Sequence, residues 1–577
     1  MNSFSKIFKN FSAKEKKETY LNISFMFIVS LLEAFSIGLI LPISSMIIKG
    51  DSNYSHLFIF NDVNKNILFL ILLFVLLIII KNIFFSLVFY RISIFCEKIR
   101  NKVAAFIFDR YIYLDYISYL KLKPGETIRN LSSYPSIFQQ YVFNFINLVQ
   151  EFLILTLIIV ILLFSNFKFT ILGFFSVAVL FFFSKVIFRN KFKYLGQSLA
   201  ENTAKYSKYI HFSMNCIKDI KIFQAEEKFK ERFNKFFQNY SRASALNQFL
   251  SSLSRFFVEI YLAILLSMVF LYLYLSKIEI LNILPMIGLF AFATVRLFPT
   301  GTKIIAYYNS LIFLKPMIKE ILSLIYQDLN FKNFSNNTKS TKSLENKGLN
   351  NENHQEFNFQ NIIEVNNLNY NFYSINNNIQ TKINNLNFKI KKNSIFGIIG
   401  KSGTGKSTLL NLLCGLIDPI DGEIIFKNKD IKKNELNILS SIGYVPQEVE
   451  LFDGTILNNI TMFNEKYKDY EKINEILKVL NLYDFINNLD LRLETLVGEQ
   501  GIKFSGGQRQ RIGIARALVK KPEILIFDES TSSVDSQTEN DIIEFIKSIK
   551  KEKTIIFVTH DKSLIEIFDE TLDLNKV

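Results

Sequence analysis

The stretch Ser394-Ile395-Phe396-Gly397-Ile398-Ile399-Gly400-Lys401-Ser402-Gly403-Thr404-Gly405-Lys406-Ser407-Thr408-Leu409 decides how this chain is read. An apolar, strand-like run over 394–399 leads into a glycine-rich loop, and an apolar helical pattern follows over 408–416. A strand, a loop with this glycine spacing and a helix form a phosphate-binding arrangement. Gly400, Gly403 and Gly405 let backbone N–H groups of the loop, together with Ser402, Thr404 and Thr408, curl around phosphate oxygens. Lys406 supplies a positive charge for the terminal phosphates, and the Ser407 hydroxyl is an oxygen ligand for Mg²⁺. The bland alternative is a glycine-rich turn.

Moving outward, Ile524-Leu525-Ile526-Phe527 reads as a buried strand ending in Asp528-Glu529. Alone, an acidic pair there is more often a turn than a site. Beside a phosphate loop it is where a hard cation with oxygen ligands sits, with Asp528 holding Mg²⁺ through water and Glu529 facing the attacking water. Between the two motifs stands Phe504-Ser505-Gly506-Gly507-Gln508, leading into 512–518.

This segment resembles the signature motif of ATP-binding cassette (ABC) proteins, usually written LSGGQ, with Phe504 in place of Leu. The three motifs stand in that family's order. The resemblance implies two cassettes paired head to tail, each ATP held between one chain's loop and the other chain's Ser505-Gly506-Gly507, with Gln508 beside them. Further positions are carried over by it: Gln447 as a Mg²⁺-touching loop glutamine, His560 as a γ-phosphate switch, and Asp535 in a loop crossing between sites. Phe372 is the implied adenine-stacking ring where Tyr is usual, and stacking needs only a π face. Gly498-Glu499-Gln500-Gly501 resembles the segment that meets transmembrane loops in exporters.

Before residue 310, apolar runs of bilayer length, about 20 residues each, recur near 22–48, 67–90, 138–165, 170–188, 246–275 and 280–298. In lipid they are expected to be helices, because backbone groups there must be satisfied internally. The first is no cleavable signal, since Glu33 and Pro42 interrupt it. Lys and Arg concentrate before the first run, in 91–137 and in 190–245, which places both termini in the cytoplasm by the positive-inside rule. In those two segments Val103, Phe106, Ile107, Tyr111 and Leu114 recur at helical spacing, so the spans are expected to continue beyond the bilayer until Pro124-Gly125 breaks one. Tyr113–Lys121 is a short helix near a turn: a docking element, or a solvated hairpin.

The whole chain has 577 residues, 49% hydrophobic, with 60 Phe, no Trp, three Cys and a net charge of +15. Three cysteines build no disulfide framework, and so apolar a chain is not disordered. Much of the basic excess sets topology, so nucleic-acid binding is not needed to explain it. The expected organisation is an α-helical transmembrane domain of six spans over 1–327, a polar linker over 328–358, and an α/β cassette over 359–577. That layout resembles an ABC exporter half-transporter in a bacterial-type inner membrane, working as a dimer, with ATP and Mg²⁺ as cofactors and helices near 113–121 and 210–222 docking on the cassettes. The short stretch before the first span counts against an N-terminal peptidase domain, and so against a leader-cleaving peptide exporter.

Cargo is read from charges in the spans: Lys81, Arg255, Arg296 and Lys303. Each costs about 2.5–3.5 kcal/mol at a helix centre facing lipid, so each is expected to face a cavity or an acid. Arg255 and Glu259 share a helical face and form an alternative structural pair; Lys81 and Lys303 are near enough to span ends to snorkel. Arg296 has no acid within a turn and is the leading cargo-facing residue. Leu32-Glu33-Ala34-Phe35 with Pro42, and Arg296-Leu297-Phe298-Pro299 with Lys303, resemble bacterial flippases of lipid-linked oligosaccharides. The resemblance implies an anionic amphiphile, such as a polyprenyl-pyrophosphate-linked glycan. A peptide or drug exporter, and a nucleotide-gated channel, are the competing readings.

Overall fold

Apolar runs this long bury their backbone polar groups by closing every hydrogen bond within one helix. The computed structural model describes residues 7–8, 11–49, 63–165, 167–275, 280–326, 360–373, 379–431, 438–498, 504–530 and 536–576, though not every side chain within them. The expected linker over 328–358 lies outside these residues, as do Asp535 and Glu499–Gly501. The chain divides into two compact units: 1–114 with 122–350, and 115–121 with 351–577.

The first unit is helical: α1 (Ala13–Gly38), α2 (Ile40–Lys49), α3 (Val63–Ile112), and, after the second unit's α4 (Tyr116–Leu120), α5 (Pro124–Ser132), α6 (Tyr134–Ser165), α7 (Phe167–Asn215), α8 (Ile217–Ile222), α9 (Glu226–Leu275) and α10 (Ile280–Tyr326). Ser12 caps α1 in a reciprocal box with Glu15. Pro42 has no N–H to give the carbonyl of Gly38, and the first apolar run accordingly divides between α1 and α2 at Leu39. Ala13–Ile47, Asn64–Ile112 and Pro124–Phe164 are, among the described residues, long and apolar enough to cross a membrane. The later expected spans fall within α7, α9 and α10; α7 and α10 run on past the expected ends, and α9 begins at Glu226, ahead of the expected start.

The helical continuation read from Val103 and Ile107 is present, since both are buried on one face of α3 with Ile92, Phe95, Cys96 and Ile99. Burying each such side chain contributes about 1.5–3 kcal/mol. Pro124 opens α5 instead of ending a helix, because at the first helical position its missing N–H costs nothing. Where α7 crosses α10, a Cβ at Gly196 would stand 2.0 Å from the Phe313 carbonyl oxygen. Gly196→Val is expected to destabilise the unit by about 1–3 kcal/mol, read as a lower thermal midpoint in detergent; an unchanged midpoint would show the contact to be slack.

The second unit has two sheets. One is antiparallel, ordered β2-β1-β4-β5, from β1 (Asn361–Tyr373), β2 (Ile379–Lys391), β4 (Asp421–Phe426) and β5 (Lys429–Asp430). The other is ordered β6-β7-β8-β3-β9, with parallel pairings throughout, from β3 (Ile395–Ile399), β6 (Ile442–Val445), β7 (Ile524–Asp528), β8 (Thr554–Thr559) and β9 (Glu570–Asp573). Every residue of β3 and β8 is buried, as continuous apolar runs between two covered faces require. The helices include α11 (Lys406–Leu413), α12 (Ile456–Thr461), α13 (Tyr470–Val479), α14 (Tyr483–Asn487), α15 (Gly506–Leu518) and α16 (Ser536–Ile549). Asp115 caps α4, and its Tyr116 and Ile117 pack against the core of this unit, as the docking reading of 113–121 requires. α8, the other expected docking element, keeps Ile222 and Phe223 exposed in the first unit.

Candidate nucleotide site

In the parallel sheet Ile399 lies opposite Thr559, Asp528 opposite Val558, and Val445 opposite Phe527. The loop after β3, the acidic pair at the end of β7, His560 after β8 and Gln447 after β6 therefore meet at one carboxyl edge, where open α/β sheets hold ligands.

The loop is built as its glycines demand. Gly403 has φ +86° and Gly405 φ +98°, values an L side chain adopts only at a cost. A Cβ at Gly400 would press to 2.5 Å from the Thr404 hydroxyl, which is tied to the Lys401 carbonyl at 2.9 Å. Gly405 then caps α11, whose first turn presents Lys406, Ser407 and Thr408. Lys406 is buried, and its ammonium donates to the carbonyls of Gly400 at 2.8 Å and Lys401 at 3.1 Å.

Around that ammonium the acidic pair is assembled. Glu529 stands at φ +47°, a left-handed conformation costing about 1–3 kcal/mol in a non-glycine residue. Its N–H donates to the Val558 carbonyl at 3.0 Å, and one carboxylate oxygen lies 3.0 Å from the Lys406 ammonium. The other accepts from the Gln447 amide at 3.3 Å and lies 3.6 Å from His560 Nδ1. Lys406, Glu529, Gln447 and His560 thus form one constellation drawn from four strands' ends.

Asp528 is held differently. Burial pushes its carboxyl above the usual range and neighbouring Glu529 adds to this, while the Tyr444 hydroxyl and Lys406 oppose it. Tyr444 donates to Asp528 at 2.7 Å. Tyr444 stands three residues before Gln447 in the sequence, which carries no sign that this side chain reaches the acid; only the pairing of β6 with β7 brings it there. Tyr444→Phe is expected to raise the Asp528 pKa further. The carboxylate form exists above that pKa, so the acid limb of the ATPase pH profile should move to higher pH. The lost hydrogen bond to a charged group is worth about 1.5–3 kcal/mol; identical pH profiles would remove Tyr444 from the site.

Ser505 and Gln508 close a capping box at the start of α15, the Gln508 N–H donating to the Ser505 hydroxyl at 3.2 Å and the Ser505 N–H to the Gln508 amide oxygen at 2.9 Å. Gly506, exposed, and Gly507, partly buried, begin the first turn. Phe504, in place of the Leu with which the signature motif is usually written, is buried edge-on against Phe485, with ring centroids 5.9 Å apart. Phe372 pairs with Thr381 across β1 and β2, but its side chain lies outside those described.

Family models add the decisive observation. The model described as ABC transporter transmembrane region matches residues 3–298, and that described as ABC transporter matches 383–532. The chain belongs to the ABC transporter family. An export ATP-binding/permease protein of Rickettsia bellii is 28% identical over 89% of this chain and 85% of its own length. The ATP-dependent lipid A-core flippase of Escherichia coli is 38% identical over 33% of this chain and 32% of its own. In fold, the chain is similar to a bacterial Atm1-family ABC exporter with ATP bound, at TM-score 0.74 and 21% identity, covering 97% and 93% of the two chains. This ABC exporter is a multi-pass membrane protein of half-transporter layout whose ATP-binding domain couples ATP hydrolysis to transport.

In its membrane unit the sequence-based charges meet acids from distant helices. Glu33 on α1 is buried and faces two cations, with Lys81 of α3 at 3.4 Å and Arg296 of α10, whose Nη2 donates to it at 3.0 Å. Arg296 Nε also approaches Glu33 to 2.5 Å without the alignment of a hydrogen bond. Lys303 lies 3.1 Å from buried Glu151 of α6. Arg296 is therefore not free of acids, and Lys81, 14% exposed in its side chain, does not snorkel. A pair four residues apart is legible in sequence, whereas pairs 263 and 152 residues apart form only when helices pack. The Arg255 side chain lies outside those described.

Proposed function

We propose that this ABC exporter works as a homodimer that moves an anionic amphiphile, a polyprenyl-pyrophosphate-linked oligosaccharide, out of the cytoplasmic leaflet of an inner membrane, with both termini cytoplasmic. The observation that carries the cargo class is the Glu33 cluster, where two cations against one carboxylate leave a positive charge among the membrane helices. A buried charge there is costly unless it is used, and a pyrophosphate would take up the cation now turned to Glu33. Pairing lowers the number of cations open to cargo from the eight that sequence counting allows in a dimer, and makes Glu33 the group that cargo must replace.

In the nucleotide site, the loop N–H groups and Lys406 hold the phosphates of ATP, and the Ser505-Gly506-Gly507 turn of the partner closes over them. Glu529 takes the proton of the attacking water, with Gln447 and His560 fixing its carboxylate. Ser407, Gln447 and Asp528 offer the hard oxygen donors that suit Mg²⁺, which when bound offsets charge on the transferring phosphoryl group.

Reconstitution in proteoliposomes tests the cargo. Lipid-linked pyrophosphate glycan should stimulate ATP hydrolysis and cross the bilayer in an ATP-dependent way. Arg296→Ala should lower translocation roughly ten-fold, the effect of one lost charge-assisted hydrogen bond, and Arg296→Lys should restore part of it. Stimulation by peptides or uncharged hydrophobic compounds alone would replace this reading with a peptide or drug exporter.

A further inference from the structure

Away from both sites, α1 and α3 enclose a cavity of about 430 Å³ whose lining includes Glu18, Asn22, Phe25, Phe84, Arg91 and Lys98. Its level in the membrane follows from the sequence around it. On α1, Glu15, Lys16, Lys17 and Glu18 precede the apolar run; on α3, Arg91, Glu97, Lys98 and Arg100 follow one. Between them Tyr90 stands 67% exposed, as aromatic side chains do where hydrocarbon meets headgroups.

Asn22, 1% exposed, is the unusual residue. Arg91 Nε can only donate, and it donates to Asn22 Oδ1 at 3.2 Å. That bond turns Nδ2 the other way, where it is buried without a hydrogen-bond partner. Such an unmet buried donor is destabilising as long as nothing accepts from it. The Arg91 guanidinium also lies over the Phe25 ring at 5.4 Å, fixed in place at the cavity wall. Lys98 stands 3.9 Å from Glu18, too long for a hydrogen bond, and its side chain is 65% exposed. The lining therefore combines two cations and one acid with Asn22, whose Nδ2 lacks a partner, and an apolar floor of Phe25 and Phe84.

We propose that this cavity binds the headgroup of an anionic phospholipid from the leaflet that meets the charged ends of α1 and α3. The phosphate accepts from Asn22 Nδ2 and faces Arg91 and Lys98, while the acyl chains lie along the apolar part of α3, where Leu87 is exposed. This is a lipid held by the transporter wall, separate from the Glu33 cluster, and it does not depend on what the exporter carries.

Native mass spectrometry of the full-length protein, titrated with phosphatidylglycerol or phosphatidylcholine, tests it. Wild type should retain phosphatidylglycerol in preference to phosphatidylcholine. Arg91→Gln should weaken that preference about five-fold, the factor one basic group contributes at an anionic surface, and Asn22→Leu should weaken it through the lost donor. Arg100→Gln, whose side chain pairs with Glu97 outside the cavity, should match wild type. Preserved ATP hydrolysis in the variants shows that they are folded; a variant that loses it is replaced by Arg91→Lys, which should keep most of the preference. Equal retention across all variants, an equal loss in Arg100→Gln, or displacement of the lipid by millimolar inorganic phosphate would overturn the proposal. So would efficient crosslinking of Tyr90→Cys to the same residue of a partner chain, which would place a second copy over the cavity.

Discussion

Glu529→Gln should leave ATP binding intact and lower ATP turnover by about 10²- to 10⁴-fold, the usual contribution of a positioned general base. The substitution keeps size and hydrogen-bonding shape, so the Gln447 contact and the fold of the loop survive. What is lost is the ability to take a proton. Binding should not weaken, because the groups that hold phosphate, Lys406 and the loop N–H donors, are untouched. Lys406 should bind phosphate at least as well once its carboxylate neighbour at 3.0 Å is neutral. The measurements are nucleotide affinity by equilibrium binding and turnover by phosphate release. Near-normal turnover in the purified variant would transfer the base to another residue, and lost binding would make Glu529 a structural group.

Glu33→Gln should destabilise the membrane unit by about 3–5 kcal/mol, the cost of removing one partner from a buried ion pair. The neutral amide leaves Lys81 and Arg296 facing each other with no anion between them, and both are only partly exposed, at 14% and 29% of their side chains. The expected readout is a large fall in thermal midpoint in lipid nanodiscs. Lys81→Met added to Glu33→Gln should recover part of the loss, since coupled charges are not additive. If the single variant melts as wild type does, the cluster contributes nothing to stability, and its charges are held for another purpose. The same variant bears on cargo: removing the carboxylate raises the positive charge of the cluster, so an anionic amphiphile should bind more tightly even as the protein becomes less stable.

How much of this was legible before folding differs between the two units. Gly403, Gly405 and Lys406 announce their conformation, because a left-handed backbone and a cradle for phosphate are local requirements with few residue solutions. Ser505 and Gln508 likewise close their cap within three residues. Phe504 departs from the family pattern, yet the core beside Phe485 accommodates it, a fact only packing reveals. Tyr444 is a plain strand residue in sequence and a ligand of the acidic pair in the fold. In the membrane unit, Val103 and Ile107 show their buried face through periodicity, while Pro124 is ambiguous in sequence because proline can follow the end of one helix or open the next.

By itself, the sequence determined the family, the loop that holds phosphate, the apolar runs and the excess of positive charge, since each depends on residue type and spacing along the chain. Tertiary structure alone decided which charges are neutralised. Arg296 reads as a solitary cation in sequence and becomes the partner of the buried carboxylate of Glu33, 263 residues away. The physical reason is that a charge in a low-dielectric interior must find its partner in space, and helix packing, not chain order, determines what is near.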